Sequence, residues 1–169
     1  MGVHEHKQHA PSSLACAVVT VSDTRGPDED RSGARIRELL TNAGHVIADY
    51  GILPDEPARV SAHLREIAGR PKVDAIILNG GTGIAPRDTT YEAVVSVLDK
   101  RIDGFGELFR MQSYDDIGSA AMLSRAVAGI LGTTSVFALP GSTAACELAM
   151  DRLILPELGH IAKLLGHGE

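Results

Sequence analysis

Three short apolar runs, each cut off by a polar or glycine-rich loop, constrain this chain more than any other feature of its sequence. Leu14–Val21 is continuously apolar or β-branched and stops at Ser22-Asp23-Thr24. Val73–Asn79 stops at Gly80-Gly81-Thr82-Gly83, and Ser135–Leu139 at Pro140-Gly141-Ser142. Runs of this kind read as central parallel strands covered on both faces. Between them lie segments of helical spacing. Ile36, Leu39, Leu40 and Ala43 recur on one face before a stop at Gly44, and Val60, Leu64 and Ile67 do so between Pro57 and Gly69. Val46–Leu53 is a further strand, ending at Pro54-Asp55-Glu56. Thr89-Thr90-Tyr91-Glu92 has the T-x-x-E pattern of a capping box and opens a helix with Ala93, Val94, Val97 and Leu98 inward. Phe105–Met111 and Ile117–Ser124 are helical or irregular, and Gly129–Gly132 is a turn-rich break. Ser142 caps a helix running to Met150, and Pro156 starts a last one. Alternating strands and helices predict a three-layer α/β/α fold with a mostly parallel sheet.

The length, 169 residues, fits one domain. The expected division is a flexible tail over residues 1–13, then a single domain over 14–169. His4, His6 and His9 are read as part of a solvated terminus rather than a metal site. No apolar run approaches the roughly 18–20 residues that span a bilayer, and the polar N-terminus lacks the apolar stretch of a secretory signal. Cys16 and Cys146 sit in apolar surroundings outside any C-x-x-C, which fits a reducing cytoplasm. A net charge of −6 argues against non-specific nucleic-acid binding. With three Phe, three Tyr and no Trp, stacking of bases on aromatic platforms is not the binding mode expected either.

In a parallel sheet the three loops meet on one edge, the carboxyl edge where such folds bind ligands. Gly80–Gly83 lacks Cβ bulk at three of four positions, so backbone N–H groups can approach an anion closely. One such loop alone is more often a tight turn; three on one edge favour a site. No Gly-Lys-Ser/Thr follows the loop and G-x-G-x-x-G is absent, which removes the P-loop and dinucleotide readings. No Ser lies in G-x-S-x-G, and the histidines lack metal-ligand spacing. Two carboxylates are well placed: Asp55 at a strand end and Asp88 beyond the glycine loop. Each has a structural alternative, Asp55 as a cap of the helix at Pro57 and Asp88 as support for the turn at Thr89. If both face a phosphate in so acidic a chain, Mg²⁺ is the natural bridge.

The ordered set Ser22-Asp23-Thr24, Asn79–Gly83, Arg87-Asp88-Thr89-Thr90, Gly104–Arg110, Leu123-Ser124-Arg125-Ala126 and Leu139–Ser142 resembles the MoaB/Mog family of molybdenum-cofactor biosynthesis proteins. The resemblance covers about Cys16 to Leu165. Gly104–Arg110 and the ending Ile154–His160 are closer to the MoaB branch. It implies a molybdopterin-binding fold assembled as trimers or dimers of trimers, in contact with other molybdenum-cofactor enzymes. Active members adenylate molybdopterin with ATP and Mg²⁺ and release pyrophosphate; some MoaB-branch members are non-catalytic pterin carriers. An unrelated nucleotide-binding α/β protein is a third reading. The family's two acidic residues match Asp55 and Asp88, implying roles toward Mg²⁺ and ATP phosphates. Gly80, Gly81, Thr82 and Gly83 are then expected on phosphate. Ser22, Asp23, Glu107, Arg110, Ser113, Ser124, Arg125, Pro140, Gly141 and Ser142 are expected to line the pterin and nucleotide pocket. Arg110 and Arg125 have salt bridging between helices or subunits as their alternative.

Overall fold

In the computed structural model, which describes residues 10–167, strands and helices alternate as the apolar pattern requires. Strands β1 (Ala15–Val21), β2 (Val46–Leu53), β3 (Ala75–Asn79), β4 (Lys100–Arg101), β5 (Val127–Leu131) and β6 (Thr134–Leu139) form one sheet in the order β2-β1-β3-β6-β5-β4. The helices are α1 (Arg31–Asn42), α2 (Pro57–Ala68), α3 (Thr90–Val95), α4 (Asp103–Ile117), α5 (Thr143–Ala149) and α6 (Leu155–Leu164). The three apolar runs are the central strands, and every residue of β3 and β6 is buried.

Alternation along those strands sorts side chains to two faces. Cys16, Val18, Ile77, Phe137 and Leu139 pack with residues of α1, α4, α5 and α6. Val19, Val21, Ile76, Leu78 and Val136 pack with α2 and α3. The result is the expected three layers. Burial pushes the thiols of Cys16 and Cys146 up to about 12, so both stay protonated as small apolar groups.

The sheet is mixed where the sequence suggested a break. Gly129–Gly132 is not loop: β5 runs antiparallel to β6, Gly132-Thr133 makes the turn, and β4 pairs antiparallel with β5. A Cβ at Gly129 would collide with the Lys100 carbonyl and the Leu98 side chain, so the glycine is what lets β4 approach. Pro156 does not start a separate helix. A π-helical turn over Met150–Ile154 links α5 to α6, and the Leu155 N–H reaches the Met150 carbonyl just before the proline. The T-x-x-E pattern forms no capping box, since Thr89 makes no side-chain cap. Residues 1–9 of the expected tail, with its three histidines, lie outside the described residues. Of the rest, the Pro11 carbonyl sits against Gly159 of α6, within 2.9 Å of where a Cβ would stand. Among the described residues no helix is long and apolar enough to cross a membrane.

Candidate functional site

The carboxyl ends of β1, β3 and β6 converge on Gly80. Its N–H donates to the Leu139 carbonyl at 3.0 Å. Its φ is +100, and a Cβ there would strike the Val21 carbonyl. Gly81 follows at φ +68, where a Cβ would collide with Thr90 Oγ1 and Asp55 Oδ2. Both positions therefore need glycine for conformation and for space. Above them opens a cavity of about 350 Å³, lined by Val21, Ser22, Arg25, Gly80–Gly83, Asp88, Ser124, Pro140 and Gly141.

Asp55 does not cap the helix at Pro57. Glu56 is the residue before that helix, and it makes no side-chain cap. The Asp55 carboxylate, 7% exposed, turns to the glycine loop instead. Oδ1 accepts from the Thr89 N–H at 3.2 Å and the Thr89 hydroxyl at 2.7 Å, while Oδ2 lies against Gly81. The Asp55 N–H donates to Asp23 at 3.0 Å, and Asp23 accepts two bonds from Arg87, at 3.0 and 2.7 Å. The Arg87 guanidinium, with the Asp55 N–H second, holds the Asp23 carboxyl below its ordinary range. Asp88 closes its own turn: Oδ2 accepts from the Ala85 N–H at 2.9 Å, and the carboxylate borders Gly83 and the cavity.

Arg125 is committed to structure. Nε and Nη2 donate to the carbonyls of Gly83 and Asp88, both at 2.9 Å, and the guanidinium also pairs with Glu92. It is a brace that holds the glycine loop, and it takes the Glu92 carboxylate that a capping box would have used. Arg110 points Nη1 at the Ser124 carbonyl, 3.4 Å away, and lines another cavity with Met111 and Tyr114. Glu107 is exposed on α4; Ser113 bonds its hydroxyl to the Phe109 carbonyl. Ser142 caps α5 through the Ala145 N–H at 3.2 Å. Glu107, Arg110, Ser113 and Ser142 thus stand outside the wall of the glycine-loop cavity, and Asp23, Asp55 and Arg125 lie behind it, against the loop rather than in the lining.

Two residues given no site role from the sequence do bear on it, Arg87 having entered only within the Arg87-Asp88-Thr89-Thr90 motif. Arg25 lines the cavity, and Arg87 holds Asp23. Arg25 sat in a polar loop of ordinary composition; its only sequence signal was the Asp30-x-x-Gly33 spacing just after it, in which Asp30 caps α1 through the Gly33 N–H.

Among the described residues no cluster of three or more His, Cys, Asp or Glu side chains forms a metal centre. The site fits Mg²⁺ in the other common manner, one or two carboxylates completed by substrate phosphates. Asp55 and Asp88 flank the loop, and the hydroxyls of Thr82 and Thr90 are buried there without a partner. Orphaned donors beside a glycine cradle suit an anionic guest.

Fold and site together define a domain of the molybdopterin-binding class: the profile of a family described as a probable molybdopterin binding domain matches residues 17–160. A molybdenum cofactor biosynthesis protein B of Halalkalibacterium halodurans is 53% identical over 164 residues, 96% of each chain. A crystal structure of a molybdenum cofactor biosynthesis protein B superposes with TM-score 0.90 at 51% identity, covering 93% of this chain and 98% of that one. The tungsten cofactor synthesizing protein MoaB of Pyrococcus furiosus does so with TM-score 0.83 at 38% identity, covering 92% and 99%. The chain belongs to this molybdopterin-binding family, on its MoaB branch.

Proposed function

We propose that this protein acts in molybdenum cofactor biosynthesis by binding molybdopterin at the glycine-loop edge and adenylating it with ATP. The observation that carries the reading is the placement of Asp55 and Asp88 on either side of Gly80–Gly83, with Asp55 Oδ1 bonded to Thr89 and Asp88 Oδ2 to the Ala85 N–H, and the other oxygen of each making no hydrogen bond among the described residues. In the reaction a terminal phosphate oxygen of molybdopterin attacks the α-phosphorus of ATP. The new P–O bond forms as the bond to the β-phosphate oxygen breaks, and pyrophosphate leaves with that electron pair. The nucleophile is already an anion, so no strong base is required. Positioning and charge neutralisation carry the rate. Asp55 and Asp88 would hold Mg²⁺, which when bound neutralises charge on the phosphates. Gly80 and Gly81 give the loop the positive-φ backbone and close packing that set its shape, and Arg125 keeps it there by bonding the Gly83 and Asp88 carbonyls.

The test is incubation with molybdopterin, Mg²⁺ and ATP, followed by chromatography for the adenylated pterin. Asp88→Asn is expected to lose adenylation by about two or more orders of magnitude, the scale of losing one charge-positioning group, while keeping most of its pterin affinity and its melting temperature. Asp55→Asn behaves likewise with a smaller loss. Full activity in Asp88→Asn rejects the mechanism. Pterin binding without product in the wild type makes the chain a carrier of the same fold.

A further inference from the structure

A chain of hydrogen bonds runs from the candidate site into the interior, and its ends fix its direction. Asp30 is 1% exposed and has no cationic partner among the described residues. It accepts from the Thr20 hydroxyl at 2.6 Å, the Tyr50 hydroxyl at 2.7 Å and the Gly33 N–H at 3.0 Å. Thr20 therefore spends its proton on Asp30 and accepts from Asn79 Nδ2 at 2.9 Å. The amide oxygen of Asn79 then faces Ser32, whose hydroxyl donates to it at 2.8 Å. Ser32 is left to accept from Arg25 Nη1 at 3.1 Å, and the same nitrogen reaches the Gly141 carbonyl at 3.3 Å. Ser32 Oγ also lies 3.4 Å from Asp30 Oδ1, a longer second acceptor for the same proton. A guanidinium can only donate and an ionised carboxylate can only accept, so along this chain Thr20 and Asn79 each have one orientation. The sheet register builds the middle of the chain, since Thr20 and Asn79 are opposite one another on β1 and β3.

The network delivers one guanidinium to the cavity. Of the arginines near the loop, Arg87 is held by Asp23 and Arg125 by Glu92 and two carbonyls, while Arg110 lines a different cavity. Arg25 is the cationic residue of the cavity lining, and Asp88 the anionic one. Among the described residues only Nη1 of its guanidinium makes hydrogen bonds, and Nη2 lies 3.6 Å from where a Gly141 Cβ would project. The fork thus keeps donors for a ligand in a cavity that otherwise offers backbone, hydroxyls and a carboxylate.

We propose that Arg25 is a phosphate-binding residue of this site and that Ser32, through Asn79, Thr20 and Asp30, positions it. The proposal rests on the reading of the glycine-loop cavity as a phosphate site. The phosphate belongs to the nucleotide or to the pterin, and a forked guanidinium suits either.

Calorimetric titration of the full chain with inorganic pyrophosphate, ATP and molybdopterin, each in Mg²⁺ buffer, tests it. Arg25→Ala is expected to bind at least one of them about 10- to 100-fold more weakly, the size of a charge-assisted contact, with the melting temperature unchanged. Arg25→Lys recovers part of the loss, and millimolar methylguanidinium restores affinity to Arg25→Ala alone. Ser32→Ala weakens binding in the wild-type background but has no further effect in Arg25→Ala, a coupling that a purely structural serine would not show. Loss confined to pyrophosphate and ATP puts Arg25 on the nucleotide; loss confined to molybdopterin puts it on the pterin phosphate. Wild-type affinity of Arg25→Ala for all three overturns the role of Arg25 while the site reading stands. If the wild type binds none of the three, the site reading falls and this proposal with it.

Discussion

Gly81 shows how closely the loop is fitted. Its φ of +68 strains any β-branched residue, and a side chain there would run into both Asp55 and Thr90. Gly81→Val is therefore expected to destabilise the whole protein, by about 2–6 kcal/mol from backbone strain and overpacking together, and so says little about ligand contact. Gly141 offers a cleaner substitution. A Cβ there meets Gly80 Cα at 3.3 Å and the Arg25 guanidinium at 3.6 Å, at the cavity wall. Gly141→Ala should keep its melting temperature within a few degrees and lose affinity for pyrophosphate; paired thermal melts and titrations would check both halves, and full affinity would show that the anion sits away from this wall. That Asp55 and Asp88 lie beside the glycine loop was legible in the sequence, because Asp55 follows the end of a strand and Asp88 comes just beyond the loop. Arg25 was not, because its meaning comes from Ser32, Asn79, Thr20 and Asp30. Asn79 is 59 residues from Thr20 in sequence and adjacent to it in space. Arg125 was legible as a residue near the loop, yet its two carbonyl bonds to Gly83 and Asp88 have no sequence signal.

Elements whose residues are buried on both faces read directly from the sequence. The apolar runs fell on β1, β3 and β6 within a residue or two, and β2 fell on its full span. β4 and β5 escaped because β4 has only two residues, both exposed, and β5 carries a glycine where a longer strand would show alternation. The buried network adds a bond between elements, joining β1, β2, β3 and the start of α1, and it makes stability depend on acid. Burial raises the Asp30 carboxyl, but hydrogen bonds from Thr20, Tyr50, Gly33 and Ser32 outweigh it and leave the group below its ordinary range. A depressed carboxyl contributes stability that is fully present above its unfolded value near 3.9 and disappears as pH falls through the lower folded value. Asp30→Asn should thus cost on the order of 3 kcal/mol at neutral pH, the scale of losing hydrogen bonds to a charged group. Its stability should also vary less than that of the wild type below about pH 4. Chemical denaturation midpoints between pH 2 and 7 for both proteins would decide it; parallel curves across that window would remove Asp30 as the source of acid sensitivity.

At the scale of the whole molecule one face of the chain is unfinished. The apolar residues of Phe105–Met111 divide: Phe105 and Phe109 are buried in the core, with Phe105 packed edge-on against Phe137 at 5.5 Å. Leu108 and Met111 face outward instead, and Tyr114, Ile117, Met122 and Leu123 extend the exposed apolar surface along α4 and the 3-10 turn at Gly118–Leu123. Met122 is 76% exposed and Tyr114 62%. A contiguous patch of such large residues is characteristic of an interface, and the family resemblance makes a threefold assembly of identical chains the expected occupant. Each chain carries a net charge of −6, so copies repel one another at long range, and the apolar contact has to exceed that repulsion. Added salt screens the repulsion within a Debye length of about 8 Å at 0.15 M, so assembly should strengthen as salt rises, the opposite of an interface made of ion pairs. Met111→Asp with Met122→Asp places charge on the patch without touching the core and should yield a folded monomer. Light scattering at micromolar concentration, in low and high salt, is the measurement. A trimer mass that falls to a monomer in the double variant places the interface on α4, whereas a monomer mass for the wild type in both salts would leave the patch without a role in self-assembly.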